Sequence, residues 1–199
     1  MVDFIVIGPG KCGTSWLYGV VESAPDVQES SVKETLFFTE FYNKGYDYYH
    51  SHFNNKNKNI ICGEFSNTYI STAGVAAKIF KYNSKVKIIS TVRNPIERTI
   101  SHYLWIKRNS SKVESFSKEI RKQNCDIVEK SKYSKMLDEY YSCFPGDQIK
   151  VMIFDDLVAN EKNYSNSFLK FIGSSSTYQK IASKHRLPAS KARYLTIVK

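Results

Sequence analysis

The stretch VDFIVIGPGKCGTSW, residues 2–16, decides the fold. Residues 2–8 form a short apolar run that ends in glycine, which is typical of a buried parallel strand. A glycine-rich loop follows, and Thr14 or Ser15 is placed to cap the next helix. We predict that its inner face carries Trp16, Leu17, Val20 and Val21. A strand, a glycine loop and a helix N-terminus together favour anion binding, because backbone N–H groups converge there.

The rest of the chain alternates strand patterns with helical patterns. Further strands are predicted at 59–65, 85–95 and 147–157, with helices near 72–82, 95–108, 130–143 and 160–172. This alternation predicts an α/β fold, a P-loop-like three-layer sandwich with a central parallel sheet flanked by helices. Ligands of such sheets bind at the carboxyl ends of the strands. Because no repeat or linker is visible, we expect residues 1–199 to form one domain.

The composition limits the classes of partner. The net charge of +10 and the isoelectric point near 9.3 favour acidic ligands, although scattered lysines also fit a solvated surface. The four cysteines form no C-x-x-C pair and have no histidine at zinc-ligand spacing, so no metal site is expected. Neither a signal peptide nor a membrane-spanning apolar run is visible, which predicts a cytoplasmic chain.

The glycine loop does not fit the usual nucleoside-triphosphate motif. Gly8 and Gly13 have the spacing of G-x-x-x-x-G-K-[ST], but Thr14 stands where that motif requires lysine. The lysine of this loop is Lys11, which we expect to project toward a bound anion. Gly8, Gly10 and Gly13 are expected to allow the tight turn and the close approach of backbone to phosphate.

Four stretches carry the motifs of one enzyme family. KCGTS, residues 11–15, is similar to the K-x-G-T-[ST] phosphosulfate loop of the sulfotransferases, enzymes that use 3′-phosphoadenosine 5′-phosphosulfate (PAPS). KETLFF (33–38) resembles the K-E-x-x-F-F of the heparan-sulfate type, and GEFSNTY (63–69) its E-K-S-x-x-Y segment. RNPIERTISHY (93–103) is similar to the 3′-phosphate signature R-x-P-x-x-R-x-x-S-x-Y. The resemblance spans about residues 3 to 193.

The resemblance implies a binding site for PAPS and its product, adenosine 3′,5′-bisphosphate. Arg93 and Ser101 would bind the 3′-phosphate, although Arg93 also fits a salt bridge at the strand end. Lys191 and Arg193, in SKAR (190–193), would close over that phosphate, or belong to a solvated basic tail. The loop residues that would contact the cofactor are Gly10, Lys11, Cys12, Gly13, Thr14, Ser15 and Trp16, the last as an adenine contact or as a core aromatic.

The same resemblance implies catalytic roles. Lys11 would stabilise charge on the leaving phosphate, and Glu34 would take the proton from the acceptor. Lys33, Ser66 and His102 are candidates for acceptor binding, and Phe65 replaces the lysine usual in the glycan-modifying branch. The expected acceptor is a hydroxyl or amine of a carbohydrate or another small compound. The oligomeric state stays open.

Two other functions compete with sulfuryl transfer. One is a P-loop nucleotide kinase or NTPase, which Thr14 in the lysine position disfavours. The other is a non-catalytic protein that keeps the PAPS site, which the presence of both Lys11 and Glu34 disfavours. No nucleic-acid motif stands out, so nucleic acid is not an expected partner.

Overall fold

A central parallel sheet organises the protein. The computed structural model describes residues 1–53, 59–110, 112–123 and 125–179. The strands are β1 (Phe4–Gly8), β2 (Val27–Glu29), β3 (Ile61–Phe65), β4 (Lys87–Val92) and β5 (Ile149–Ile153). They lie in the order β2-β3-β1-β4-β5, and every pairing between neighbours is parallel. The predicted parallel sheet is confirmed, with β1 at its centre.

Helices connect the strands, as parallel pairing requires. The described α-helices are α1 (Thr14–Glu22), α2 (Gly45–His50), α3 (Val75–Tyr82), α4 (Pro95–Asn109), α5 (Phe116–Glu119), α6 (Asp126–Glu129), α7 (Tyr133–Cys143), α8 (Phe154–Ala159) and α9 (Glu161–Ile172). Shorter turns of other helical types occupy Phe37–Phe41, Tyr42–Lys44, Tyr69–Ser71 and Gly146–Gln148. The four helices expected after the first one are confirmed as α3, α4, α7 and α9.

The sheet separates two hydrophobic cores. Phe4 and Val6 of β1 face a core that includes buried residues of α1, α8 and α9. Ile5 and Ile7 face the opposite core, which includes buried residues of α3 and α7. Successive side chains of a strand point to opposite faces, so one apolar run contributes to both cores. This confirms the three-layer arrangement.

The start of α1 differs from the sequence prediction. Gly13 is the N-cap residue, in the left-handed region at φ 94°, and no side chain caps the helix. The predicted cap by Thr14 or Ser15 was therefore wrong, because both residues already belong to the helix. The predicted inner face is confirmed, since Trp16, Leu17, Val20 and Val21 are all buried.

Candidate active site

The glycine loop after β1 is shaped by contact with the exit of β3. Gly8 lies at φ +96°, and a Cβ atom there would be 2.5 Å from the backbone oxygen of Asn67. Gly13 also has a positive φ, whereas Gly10 does not, and Lys11 takes that conformation instead, at φ 73°. Gly8 and Gly13 thus have the backbone conformation that favours glycine, and the close approach of the loop backbone to phosphate stays a prediction.

A cleft of about 340 Å³ opens at the carboxyl ends of β1, β3 and β4. This volume falls within the range of small-molecule sites. The cleft brings together seven predicted site residues, namely Gly10, Lys11, Thr14, Ser15, Lys33, Glu34 and His102. The other lining residues are Asn67, Thr68, Arg98, Trp105 and Lys130. Loops from three separate strands thus meet where the sheet topology predicts chemistry.

Positive charge dominates the cleft. Lysine and arginine supply four of its lining residues, and Glu34 is the one carboxylate among the described residues that line it. Burial, followed by repulsion from Arg108, Arg93 and Arg98, lowers the pKa of Lys11. The Lys11 ammonium lies 5.7 Å from the centre of the Trp105 ring. An anion bound here would relieve repulsion between the cations.

Glu34 is held by residues at the end of β3. Its side-chain Oε1 accepts a 2.6 Å hydrogen bond from Nδ2 of Asn67, and its backbone N–H donates to Phe65 O at 3.0 Å. The backbone of Glu34 is left-handed, at φ 63°. Beside it, the Lys33 ammonium donates to Ser15 Oγ at 3.3 Å. The two residues of the predicted Lys-Glu pair are therefore fixed against β3 and α1.

Arg98 ties the glycine loop to α4 and α6. Its guanidinium donates to Gly10 O at 3.3 Å and to Ile127 O at 2.9 Å. It also lies 3.2 Å from Nδ1 of His102. Since a guanidinium only donates hydrogen bonds, Nδ1 accepts, and the neutral ring keeps its proton on Nε2. Burial, with Arg98 and Lys130 nearby, lowers the pKa of His102 to about 4, so the ring is neutral at physiological pH.

Arg93 lies beside the cleft rather than in its lining. Its Nε and Nη2 atoms donate to Glu97 Oε2 at 3.2 and 2.9 Å, and its guanidinium lies 4.5 Å from the centre of the Phe154 ring. This is the strand-end salt bridge considered from the sequence. Ser101 is half-buried farther along α4. Binding of the 3′-phosphate by Arg93 and Ser101 stays a prediction.

Three other predicted residues are buried. Ser66 is fully buried and donates to Glu64 Oε1 at 2.8 Å, and its contact with an acceptor stays a prediction. Trp16 is buried and donates to Ser165 Oγ at 3.0 Å, as expected of a core aromatic, and its contact with adenine stays a prediction. The thiol of Cys12 is buried beside Tyr133 Oη at 3.8 Å, and burial raises its pKa to about 11. The thiol therefore faces the interior.

Some residues were missed or lie elsewhere. Asn67, Trp105 and Lys130 line the cleft but were not predicted as site residues. Asn67 could have been found, because it directly follows a predicted strand whose carboxyl end points to the site. Lys191 and Arg193 lie outside the described residues.

The amino-acid sequence matches the family described as "Sulfotransferase domain" over residues 2–198. The chain belongs to this family. Membrane-associated sulfotransferase kil1 of Dictyostelium discoideum is 32% identical over 136 residues, which cover 64% of this chain and 29% of that protein. Human heparan sulfate glucosamine 3-O-sulfotransferase 5 is 31% identical over 167 residues, 77% of this chain and 48% of that protein. This sulfotransferase chain thus spans less than half the length of either relative.

Solved structures share the fold of this sulfotransferase chain. A sulfotransferase from Alicyclobacillus acidocaldarius superposes with a TM-score of 0.80 at 20% identity, covering 93% of this chain and 88% of that one. A mouse sulfotransferase complexed with PAP superposes with a TM-score of 0.60 at 13% identity, covering 88% and 60% of the two chains. Within the described ranges, the helices are too short or too polar to cross a membrane.

Proposed function

We propose that this chain transfers the sulfuryl group of PAPS to a hydroxyl or amine of a carbohydrate. The observation that carries the proposal is the cleft, where Lys11 and Glu34 face a common space under an excess of positive charge. Family membership supports sulfuryl transfer, and the fold is shared with a structure complexed with PAP. We keep one domain over residues 1–199 and a cytoplasmic location as predictions; one relative is named membrane-associated.

The described residues fit a phosphate-bearing donor. The N-terminus of α1 presents backbone N–H groups at Thr14 and Ser15, both of which line the cleft. A Cβ at Gly10 would have only ordinary contacts, the nearest at 3.8 Å, and this residue also lines the cleft. When bound, PAPS supplies a sulfuryl group attached to a phosphate that can leave. The loop residues and Lys11 would hold that phosphate.

Two residues would carry the chemistry. Lys11 places an ammonium beside the phosphate site, where it would stabilise developing negative charge. Glu34 would accept the proton of the acceptor, because its carboxylate is fixed by Asn67 and lines the same cleft. Transfer then depends on position and electrostatics, as in phosphoryl transfer. Lys33 would add a second cation near the transferred group.

A carbohydrate acceptor is supported by the relatives and by the cleft wall. The human relative is named as a heparan sulfate glucosamine 3-O-sulfotransferase. Trp105 is 47% exposed and lines the cleft beside His102, whose Nε2–H is available to an acceptor oxygen. An exposed aromatic ring and a neutral N–H donor suit contact with a sugar ring and its hydroxyl groups.

Calorimetry should compare adenosine 3′,5′-bisphosphate with 5′-AMP and Mg-ATP, on the wild type and on Arg93→Ala. We expect tight binding that needs the 3′-phosphate and weakens in Arg93→Ala. A preference for Mg-ATP would overturn the proposal in favour of the kinase alternative. Lys81→Gln, an exposed site on α3, serves as the control for Lys11→Gln, which should weaken binding.

Transfer of labelled sulfate from PAPS to a panel of glycosaminoglycans and simple sugars tests the reaction itself. Glu34→Gln should lower kcat by about 100-fold or more while binding of the bisphosphate is kept. Glu40→Gln, an exposed glutamate six residues along, is the matched control and should retain activity. Bisphosphate binding without any wild-type turnover would favour the non-catalytic alternative.

A further inference from the structure

A fully buried carboxylate lies on β3, three residues before Asn67 of the cleft. Glu64 of β3 is 0% exposed. Four hydroxyl groups donate to its two oxygens, those of Thr35, Tyr49, Ser66 and Tyr69. Three of these hydroxyls donate to Oε1, and that of Tyr49 donates to Oε2. Burial raises the pKa of Glu64, and these hydrogen bonds oppose that rise.

Two of the four hydroxyls connect Glu64 to the backbone that follows Glu34. Thr35 Oγ1 accepts the backbone N–H of Phe37 at 3.3 Å, and Tyr69 Oη accepts that of Phe38 at 3.1 Å. A hydroxyl has one proton, and in both cases that proton is directed to Glu64. Each of these two hydroxyls therefore links a backbone amide to the same carboxylate, and we call the two links relays.

The segment held in this way has an unfavourable backbone conformation. Glu34 and Leu36 are both left-handed, at φ 63° and 52°, on either side of Thr35. Residues other than glycine persist in this region only where surrounding contacts impose it. The side chain of Glu34 is held from one side by Asn67, and the backbone after it is held from the other side by the two relays.

We propose that Glu64 is a positioning residue, which holds segment 34–38 so that Glu34 points into the cleft. Glu64 itself is buried and absent from the residues described as lining the cleft, so it acts through Thr35 and Tyr69. The inference rests on the proposed function, because it takes Glu34 as the proton acceptor.

The chain offers a matched pair of variants. Tyr69→Phe removes a hydroxyl that both donates to Glu64 and holds the Phe38 amide. Tyr49→Phe removes a hydroxyl that donates to the same carboxylate and holds no amide of segment 34–38 among the described contacts. Both residues are fully buried aromatics in the same core, and the free energy of unfolding of each variant is measured so that the effects on the segment can be compared with the loss of stability. Only the first breaks a relay.

Amide hydrogen exchange tests the positioning without any need for turnover. In Tyr69→Phe and in Glu64→Gln, the amides of residues 34–38 should exchange about tenfold faster than in the wild type. Amides of β1 and β4 serve as the reference for global stability. In Tyr49→Phe the segment should change no more than that reference. Equal protection of residues 34–38 in Tyr69→Phe, Tyr49→Phe and the wild type would overturn the proposal.

Kinetics separates positioning from a purely structural role. Tyr69→Phe should lower kcat by about tenfold with unchanged affinity for adenosine 3′,5′-bisphosphate, whereas Tyr49→Phe keeps kcat within about twofold. Parallel losses of kcat in both variants, in proportion to lost stability, would overturn the proposal. A wild type without transfer activity would overturn the proposed function alone, since the exchange experiment still decides whether Glu64 orders the segment.

Discussion

Replacing Gly8 with alanine should displace Asn67, which lines the cleft. The new Cβ would lie 2.5 Å from the backbone oxygen of Asn67, with the Cα and carbonyl carbon of Asn67 at 2.8 and 2.9 Å. All three contacts involve backbone, so no side-chain rotation relieves them. Asn67 would have to withdraw by about half an ångström, and its hydrogen bond to Glu34 would move with it.

Two contributions set the size of the effect. Alanine in a left-handed conformation costs about 1–2 kcal/mol, and the overpacking against Asn67 adds about 1–3 kcal/mol. The free energy of unfolding of Gly8→Ala should thus fall by about 2–5 kcal/mol, a large part of the total for a domain of this size. We also expect kcat to fall, because Asn67, which holds the Glu34 carboxylate, is displaced.

Gly10→Ala is the matched control in the same loop. Its Cβ would have an ordinary contact at 3.8 Å, and Gly10 has no positive φ. Its free energy of unfolding should stay within about 1 kcal/mol of the wild type. Urea denaturation followed by circular dichroism measures both variants. If the two variants unfold at the same urea concentration, or if Gly10→Ala unfolds at a lower concentration than Gly8→Ala, the reasoning about the Asn67 contact is refuted.

Three further predictions concern pH, packing and capping. Burial and nearby arginines lower the pKa of Lys11, so Lys11 should lose its proton, and the protein its affinity for adenosine 3′,5′-bisphosphate, at a lower pH than an ordinary lysine would. Calorimetry across pH should show that the affinity of Lys11→Arg falls only at higher pH, and identical pH profiles for the two proteins would contradict this. Gly63→Ala should lower the free energy of unfolding by about 1–3 kcal/mol or more, since its Cβ would lie 1.9 Å from Phe4 Cζ. In a double-mutant cycle, Phe4→Leu should restore part of that loss, and strictly additive effects of the two changes would exclude this contact as the cause. Asn94→Ala should lower the free energy of unfolding by about 1 kcal/mol because Asn94 caps α4. Thermal unfolding should show that Asn94→Ser, which keeps a capping hydroxyl, is closer to the wild type in stability than Asn94→Ala.

The sheet could be predicted because apolar runs mark buried parallel strands. The runs at 59–65 and 85–95 contain β3 and β4, and each strand is shorter than its run. β2 was missed, since Val27–Glu29 is three residues long and contains one apolar side chain. The turn at Phe37–Phe41 was missed as well. Its shape depends on aromatic packing, such as the stacking of Phe37 on Tyr49 at 4.5 Å, which no local pattern encodes.

The site was predicted best where strand ends determine it. The rule for parallel sheets placed Lys11 at the strand-end edge, whereas Glu34 was placed by the resemblance alone because β2 was missed; both line one cleft in the structure. For Arg93 the sequence left two alternatives open, a phosphate and a salt bridge, because the motif does not show which partner the arginine takes; the structure pairs it with Glu97. The burial of Ser66 and its hydrogen bond to Glu64 could not be predicted, because they depend on how deeply β3 lies in the folded sheet.

The left-handed backbone at Lys11 and Glu34 has a consequence for selection. Glycine adopts this conformation freely, whereas lysine and glutamate resist it. A library of variants selected only for folding should therefore accumulate glycine at positions 11 and 34, the two positions that the proposed chemistry requires. A library selected for activity should instead retain lysine and glutamate at these positions, although the backbone conformation favours glycine.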